Sequence, residues 1–217
     1  MDVGSSTRSA SGFGAPADEV IPGRMRESMT VTDIQIFESQ GRAIPYAVEG
    51  EGPVGLVLLT ANPLQSGDLA VVAHYLAEEA GFHVVRIGPR DGAESAHERS
   101  EDALAVIDHV GLDHTWIGGH GAAGTAARVF AASHTERVNG LLLLGVEQSD
   151  VQLAPMIPVL IVQGTSDEVT PAGNGEALQA TAPARASIKT VDGGGHDFPT
   201  THPIETAVII EEYLDWD

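Results

Sequence analysis

The 217-residue chain has no cysteine and sets 31 acidic against 11 basic side chains, a formal net charge of −20. That excludes a disulfide framework, a thiolate nucleophile and a cysteine-ligated metal. It also argues against nucleic-acid and membrane-surface partners, because so acidic a surface repels phosphate backbones and anionic lipids.

An apolar fraction of 42% suits one α/β domain with a full core. No run approaches the roughly 18 apolar residues of a membrane span. The N-terminal stretch lacks an apolar signal region, so the cytoplasm is the expected location. Residues 1–28 are rich in Ser, Gly, Ala, Pro and Arg without helical or strand period and read as a disordered tail, with the folded domain spanning 29–217. Val31–Phe37 and Ala43–Val48 alternate around Ser39-Gln40-Gly41-Arg42 and predict an antiparallel hairpin. Val54–Thr60 is nearly all apolar, as in a strand covered on both faces. Ser66-Gly67-Asp68 leads into a helix over Leu69–Glu79 that stops at Gly81, and Phe82–Ile87 is the next strand.

Glu98–Val110 has Ala103, Val106, Ile107 and Val110 on one helical face, with Glu101, Asp102 and Asp108 elsewhere; the acidic stretch Glu94–Asp102 reads as a solvated helix start. Thr115–Gly118 is a short strand, and Ala122–Ser133 is a small-residue helix suited to close packing on a sheet. Strands follow at Val138–Leu144, Val159–Gln163 and Ala186–Val191, with a short helix at Gly175–Thr181. Pro203 opens the final helix, with Glu205 in its first turn before Ala207–Trp216. A hairpin followed by alternating strands and helices predicts a mostly parallel sheet with helices on both faces. Ligands on such sheets bind beyond the carboxyl ends of the strands.

Three loops at those ends carry a set of residues. Gly119-His120-Gly121-Ala122-Ala123 joins a strand to a helix, Gln163-Gly164-Thr165-Ser166-Asp167 follows a late strand, and Gly193-Gly194-Gly195-His196-Asp197-Phe198 follows the last one. From about Asp33 to Trp216 the chain resembles the α/β-hydrolase superfamily. The first loop resembles its nucleophile elbow, Gly-x-nucleophile-x-Gly, with His120 before the nucleophile slot. The resemblance implies Asp167 as the orienting acid and His196 as the base. It implies the backbone amides of Asn62 and Ala122 as oxyanion donors. It further implies no cap domain, since only Val146–Ile157 separates the two strands between which the family often inserts one.

The departure is Gly121, which stands where the family carries a serine. Glycine supplies no oxygen to attack a carbonyl, and Thr60, Ser66, Thr125 and Ser166 are not at the elbow tip. The expectation is a hydrolase-like protein for an ester, thioester or lactone, either a non-catalytic homologue or an inactivated hydrolase. An alternative is a catalyst that forms no acyl-enzyme and uses His196, oriented by Asp167, as general base. A further alternative is nucleotide binding. Gly119, Gly121 and Gly124 satisfy Gly-x-Gly-x-x-Gly, with Glu147 as the ribose acid, although no second mononucleotide-binding half follows. His74, His83, His97, His109, His114, His134 and His202 lack metal-ligand spacing, so neither metal nor cofactor is expected and the partner is a small molecule. Trp116 and Trp216 read as packing residues.

Overall fold

The computed structural model describes residues 33–93 and 95–214. The tail reading, the first two residues of the expected hairpin and Trp216 therefore lie outside the described residues. Strand β1 (Gln35–Ser39) turns back into β2 (Arg42–Glu49), with Gln35 opposite Tyr46 and Ser39 opposite Arg42. Gln40 and Gly41, between them, both have positive φ (52° and 77°), as a tight two-residue hairpin requires. Next come β3 (Gly55–Leu59), helix α1 (Ala70–Glu78), β4 (His83–Ile87), α2 (Ala96–Val110), β5 (Thr115–His120) and α3 (Ala122–Ser133). The chain continues through β6 (Val138–Leu144), β7 (Val159–Gly164), α4 (Ala172–Ala180), β8 (Ala186–Val191), α5 (Phe198–Thr201) and α6 (Pro203–Leu214).

The eight strands make one sheet in the order β1-β2-β4-β3-β5-β6-β7-β8. β2 runs antiparallel to β1 and β4, and every later pairing is parallel. Alternation along the strands sends side chains to two cores. Val57, Leu59, Leu141, Leu143 and Ile161 join Val106, Ile107 and Phe130 of α2 and α3 on one face. Leu56, Leu58, Leu142, Leu144 and Val162 join Leu76 of α1 and Ile210 of α6 on the other. Leu56 to Leu59 are wholly buried, which is why the strand reads as an unbroken apolar run. Each such side chain stabilises the fold by about 1.5–3 kcal/mol relative to exposure. Residues 146–157 form no helix or strand, so no cap domain stands over the sheet among the described residues.

Several boundaries differ from the sequence expectation. Helix α2 begins earlier, at Ala96, because Ser95 caps it: the Ser95 hydroxyl accepts from the Glu98 amide at 3.2 Å, and the Glu98 carboxylate accepts from the Ser95 amide at 3.0 Å. Helix α4 begins at Ala172, directly after Pro171, rather than at Gly175. Strand β5 runs two residues further, to His120.

The solvated reading of Glu94–Asp102 is overturned at its last residue. Asp102 is 1% exposed, with Arg42 Nη1 at 3.0 Å and Arg90 Nε at 2.8 Å from its carboxylate. The Arg90 contact is an ion pair whose geometry falls short of a hydrogen bond. Asp102 thereby ties α2 to the hairpin and to the loop after β4. Trp116 is buried as expected, edge-on to Tyr213 and over Gly140, where a Cβ would lie 2.1 Å from its ring.

Candidate functional site

The elbow is built by backbone first. The Gly121 amide donates to the Leu144 carbonyl of β6 at 2.9 Å, and the Gly121 carbonyl accepts from Thr125 at 3.2 Å, so α3 starts without a linking loop. Gly121 itself has φ 55° and ψ −122°, a conformation that side-chain-bearing residues adopt only under strain. The flanking glycines have a packing reason. A Cβ on Gly119 would sit 2.6 Å from the Ala123 carbonyl carbon, and one on Gly124 would sit 2.9 Å from the Gly119 oxygen. The helix approaches the strand at a distance only glycine permits. That accounts for the Gly-x-Gly-x-x-Gly spacing without a nucleotide. Glu147, the residue proposed for a ribose, is exposed and accepts from Thr125 Oγ1 at 3.1 Å.

Asp167 lies in the loop after β7 with its side chain wholly shielded. Its Oδ1 accepts from the amides of Val169 and Thr170, both at 2.8 Å. Its Oδ2 accepts from Thr170 Oγ1 at 2.5 Å and faces His196 Nδ1 at 3.1 Å. Burial alone would push this carboxyl's pKa up. The bonds from the Thr170 hydroxyl and amide, from His196 and from the Val169 amide outweigh it, and hold the pKa below the usual carboxylate value.

The acid loop and the histidine loop after β8 are stitched together. Ser166 donates to Gly194 at 2.9 Å, Thr165 donates to Val191 at 3.0 Å, and Gly193 donates to the Thr165 hydroxyl at 2.8 Å. His196 is therefore held from two strands. With Nδ1 donating to Asp167, Nε2 is left as the acceptor, and it faces Gly121. A Cβ built there would lie 3.9 Å from Nε2 and 3.7 Å from Cε1, in ordinary contact and with no clash.

His120 stacks close by, its ring centroid 4.5 Å from that of His196 and 5.9 Å from that of Phe198. Burial, then the neighbouring His196, lower its pKa, so it is neutral near pH 7. Leu59 of β3 pairs with Gly119 of β5, which brings the loop carrying Asn62 to the same sheet end as Ala122. Among the described residues neither the Asn62 nor the Ala122 amide has an acceptor. Thr60, Ser66 and Thr125 spend their hydroxyls on Asn62 O, Pro63 O and Glu147 respectively.

Sequence reasoning missed two positioning residues. Thr170 is three positions after Asp167, a spacing at which an aspartate often bonds the chain ahead of it. Arg99 of α2 donates to the carbonyls of Thr60 and Ile87 at 3.1 and 3.2 Å, fixing the ends of β3 and β4, and no local signal marks it. Among the described residues no group of three or more His, Asp or Glu side chains stands together as a metal site.

Residues 55–200 match the sequence profile described as the Alpha/beta hydrolase family. No curated protein matches in sequence. In fold the chain is similar to a predicted CIB-like hydrolase from Thermoplasma acidophilum, at TM-score 0.72 and 14% identity over 84% of this chain and 97% of that one. It is similar to a thermophilic esterase from Thermogutta terrifontis, at TM-score 0.71 and 17% identity over 84% and 97% of the two chains. A meta-cleavage product hydrolase from Pseudomonas fluorescens IP01 matches at TM-score 0.71 and 14% identity over 83% and 97%.

Proposed function

The chain belongs to the α/β-hydrolase family, and from that premise we propose that it binds a small carbonyl compound, of the ester, thioester or lactone class, at a hydrolase site that lacks its nucleophile and forms no acyl-enzyme. One observation carries the reading: the Asp167–His196 pair is assembled and faces Gly121 across a space that a side chain would fill without clash. The carbonyl oxygen would accept from the Asn62 and Ala122 amides, and Nε2 of His196 would lie on the side from which a serine oxygen attacks. The strained backbone at Gly121 supports the same reading, since a plain strand–helix junction has no need of it.

The test restores the missing atom. Gly121→Ser is expected to hydrolyse p-nitrophenyl acetate about 10²-fold or more faster than the parent. It should also take a fluorophosphonate label that the parent refuses. The variant is expected to lose about 1–3 kcal/mol of stability, because serine must adopt φ near +55°. A folded variant with neither activity nor label would sink the proposal.

A second reading has its own support: the His196 side chain is 37% exposed and keeps an oriented Nε2 acceptor, so it can activate water directly. On this reading slow ester hydrolysis by the parent resists fluorophosphonate and falls about 10²-fold in His196→Ala. Equal rates in the two proteins would retire it.

A further inference from the structure

Arg128 lies on α3, two turns beyond Gly121, and is 3% exposed. Its Nε is shielded and unpartnered. Among the described residues the guanidinium donates no hydrogen bond and has no carboxylate within 4.0 Å. A guanidinium stays charged at any ordinary pH, and an unpaired buried charge is among the least tolerated features of a folded interior. Yet Arg128 opens onto a cavity of about 260 Å³, walled by Val146 and Leu178 and edged by Gln148, Ser149 and Asn174. Glu147 lines the same cavity but accepts from Thr125 Oγ1 at 3.1 Å and forms no ion pair with Arg128.

We infer that this cavity is a binding site for a small carboxylic acid, whose carboxylate pairs with the Arg128 guanidinium and whose hydrocarbon body lies on Val146 and Leu178. A planar carboxylate matches the fork of the guanidinium in two parallel bonds. The Ser149 hydroxyl accepts from the Val151 amide at 3.2 Å, which leaves its proton for the same ligand. Asn174 is already committed, donating to Val146 O at 3.0 Å, and serves as wall. Glu147 and Asp150 also edge the cavity, in a chain of net charge −20. Their field works against any anion, and against a phosphate dianion more strongly than against a carboxylate monoanion. The site is separate from the Asp167–His196 site, because the crevice between Gly121 and Arg128 admits no water-sized group. It stands whether or not that site is catalytic.

Calorimetric titration of the full chain with sodium hexanoate, hexanamide and inorganic phosphate tests it. Hexanoate is expected to bind, the isosteric neutral amide and phosphate about tenfold or more weaker. Arg128→Met should weaken hexanoate by about tenfold or more with an unchanged circular dichroism spectrum. Ala177→Trp, at an exposed wall position, should abolish binding by filling the cavity and serves if the methionine variant misfolds. His196→Ala should bind hexanoate as the parent does. No hexanoate heat at about 50 mM, a millimolar-to-tens-of-millimolar range where even weak sites register, would overturn the inference. So would equal affinity for the amide or phosphate, unchanged affinity in the Arg128 or Ala177 variant, or binding lost in His196→Ala.

Discussion

Two aspartates in this chain are almost equally buried and do opposite things. Asp102 is 1% exposed and Asp167 is 5% exposed. Asp102 has two cations on it, Arg42 and Arg90, drawn from the hairpin and from the loop after β4. Asp167 has two amides, one hydroxyl and one imidazole, all but the imidazole within three residues of itself. Charges that neutralise each other from distant elements hold a fold together. Neutral donors supplied locally hold a carboxylate ionised while leaving its field to act on one partner, here His196, whose other nitrogen is open. On the proposed function, the difference separates a carboxylate that serves the structure from one that orients a base towards a ligand.

The largest expected effect comes from breaking the first arrangement. Asp102→Ala leaves two guanidinium groups facing a partly desolvated site, at 26% and 16% side-chain exposure. Removing one partner of a buried pair costs about 3–5 kcal/mol, and the residual access of the arginines to water places this case near 3 kcal/mol. Asp167→Asn keeps an oxygen for the local amides and removes no charge partner that is always ionised. Its expected loss is about 1 kcal/mol. Urea denaturation at pH 7 of the two variants checks the ordering. Equal losses would mean that the two carboxylates do the same structural job.

The sheet and its helices were legible because each strand states its own burial: Val54–Thr60 and Val138–Leu144 are apolar on both faces, and the hairpin alternates. The positions of Gly121, Asp167 and His196 were legible because each lies at a strand end, where the chain's order alone brings them to one edge. What could not be read is what crosses the fold. Asp102 sits among acids in sequence and looks solvated, and only the folded chain sets Arg42, sixty residues away, beside it. Arg128 has apolar and small neighbours and looks like an ordinary helix-surface arginine until the 146–152 loop and α4 close round it. The early start of α2 was a different kind of miss. Ser95-x-x-Glu98 is a local capping signal and was present in the letters.

The sharpest test of the comparison asks whether neutral donors alone keep Asp167 ionised. A carboxyl whose folded pKa lies below its unfolded value of about 3.9 binds fewer protons folded than unfolded as the pH falls. Its contribution to stability is therefore complete above about pH 4 and is lost as the pH drops through the folded pKa. Thr170→Val removes the hydroxyl donor, the foremost of the bonds that lower this pKa, and keeps the volume and the backbone amide. At pH 7 the variant is expected to be less stable by about 1 kcal/mol. Below pH 4 the gap should close, because the folded pKa has moved back towards 3.9 and less stability remains to be lost. A gap that stays constant from about pH 6 to pH 3 would show that the hydroxyl acts by packing and not through the charge on Asp167.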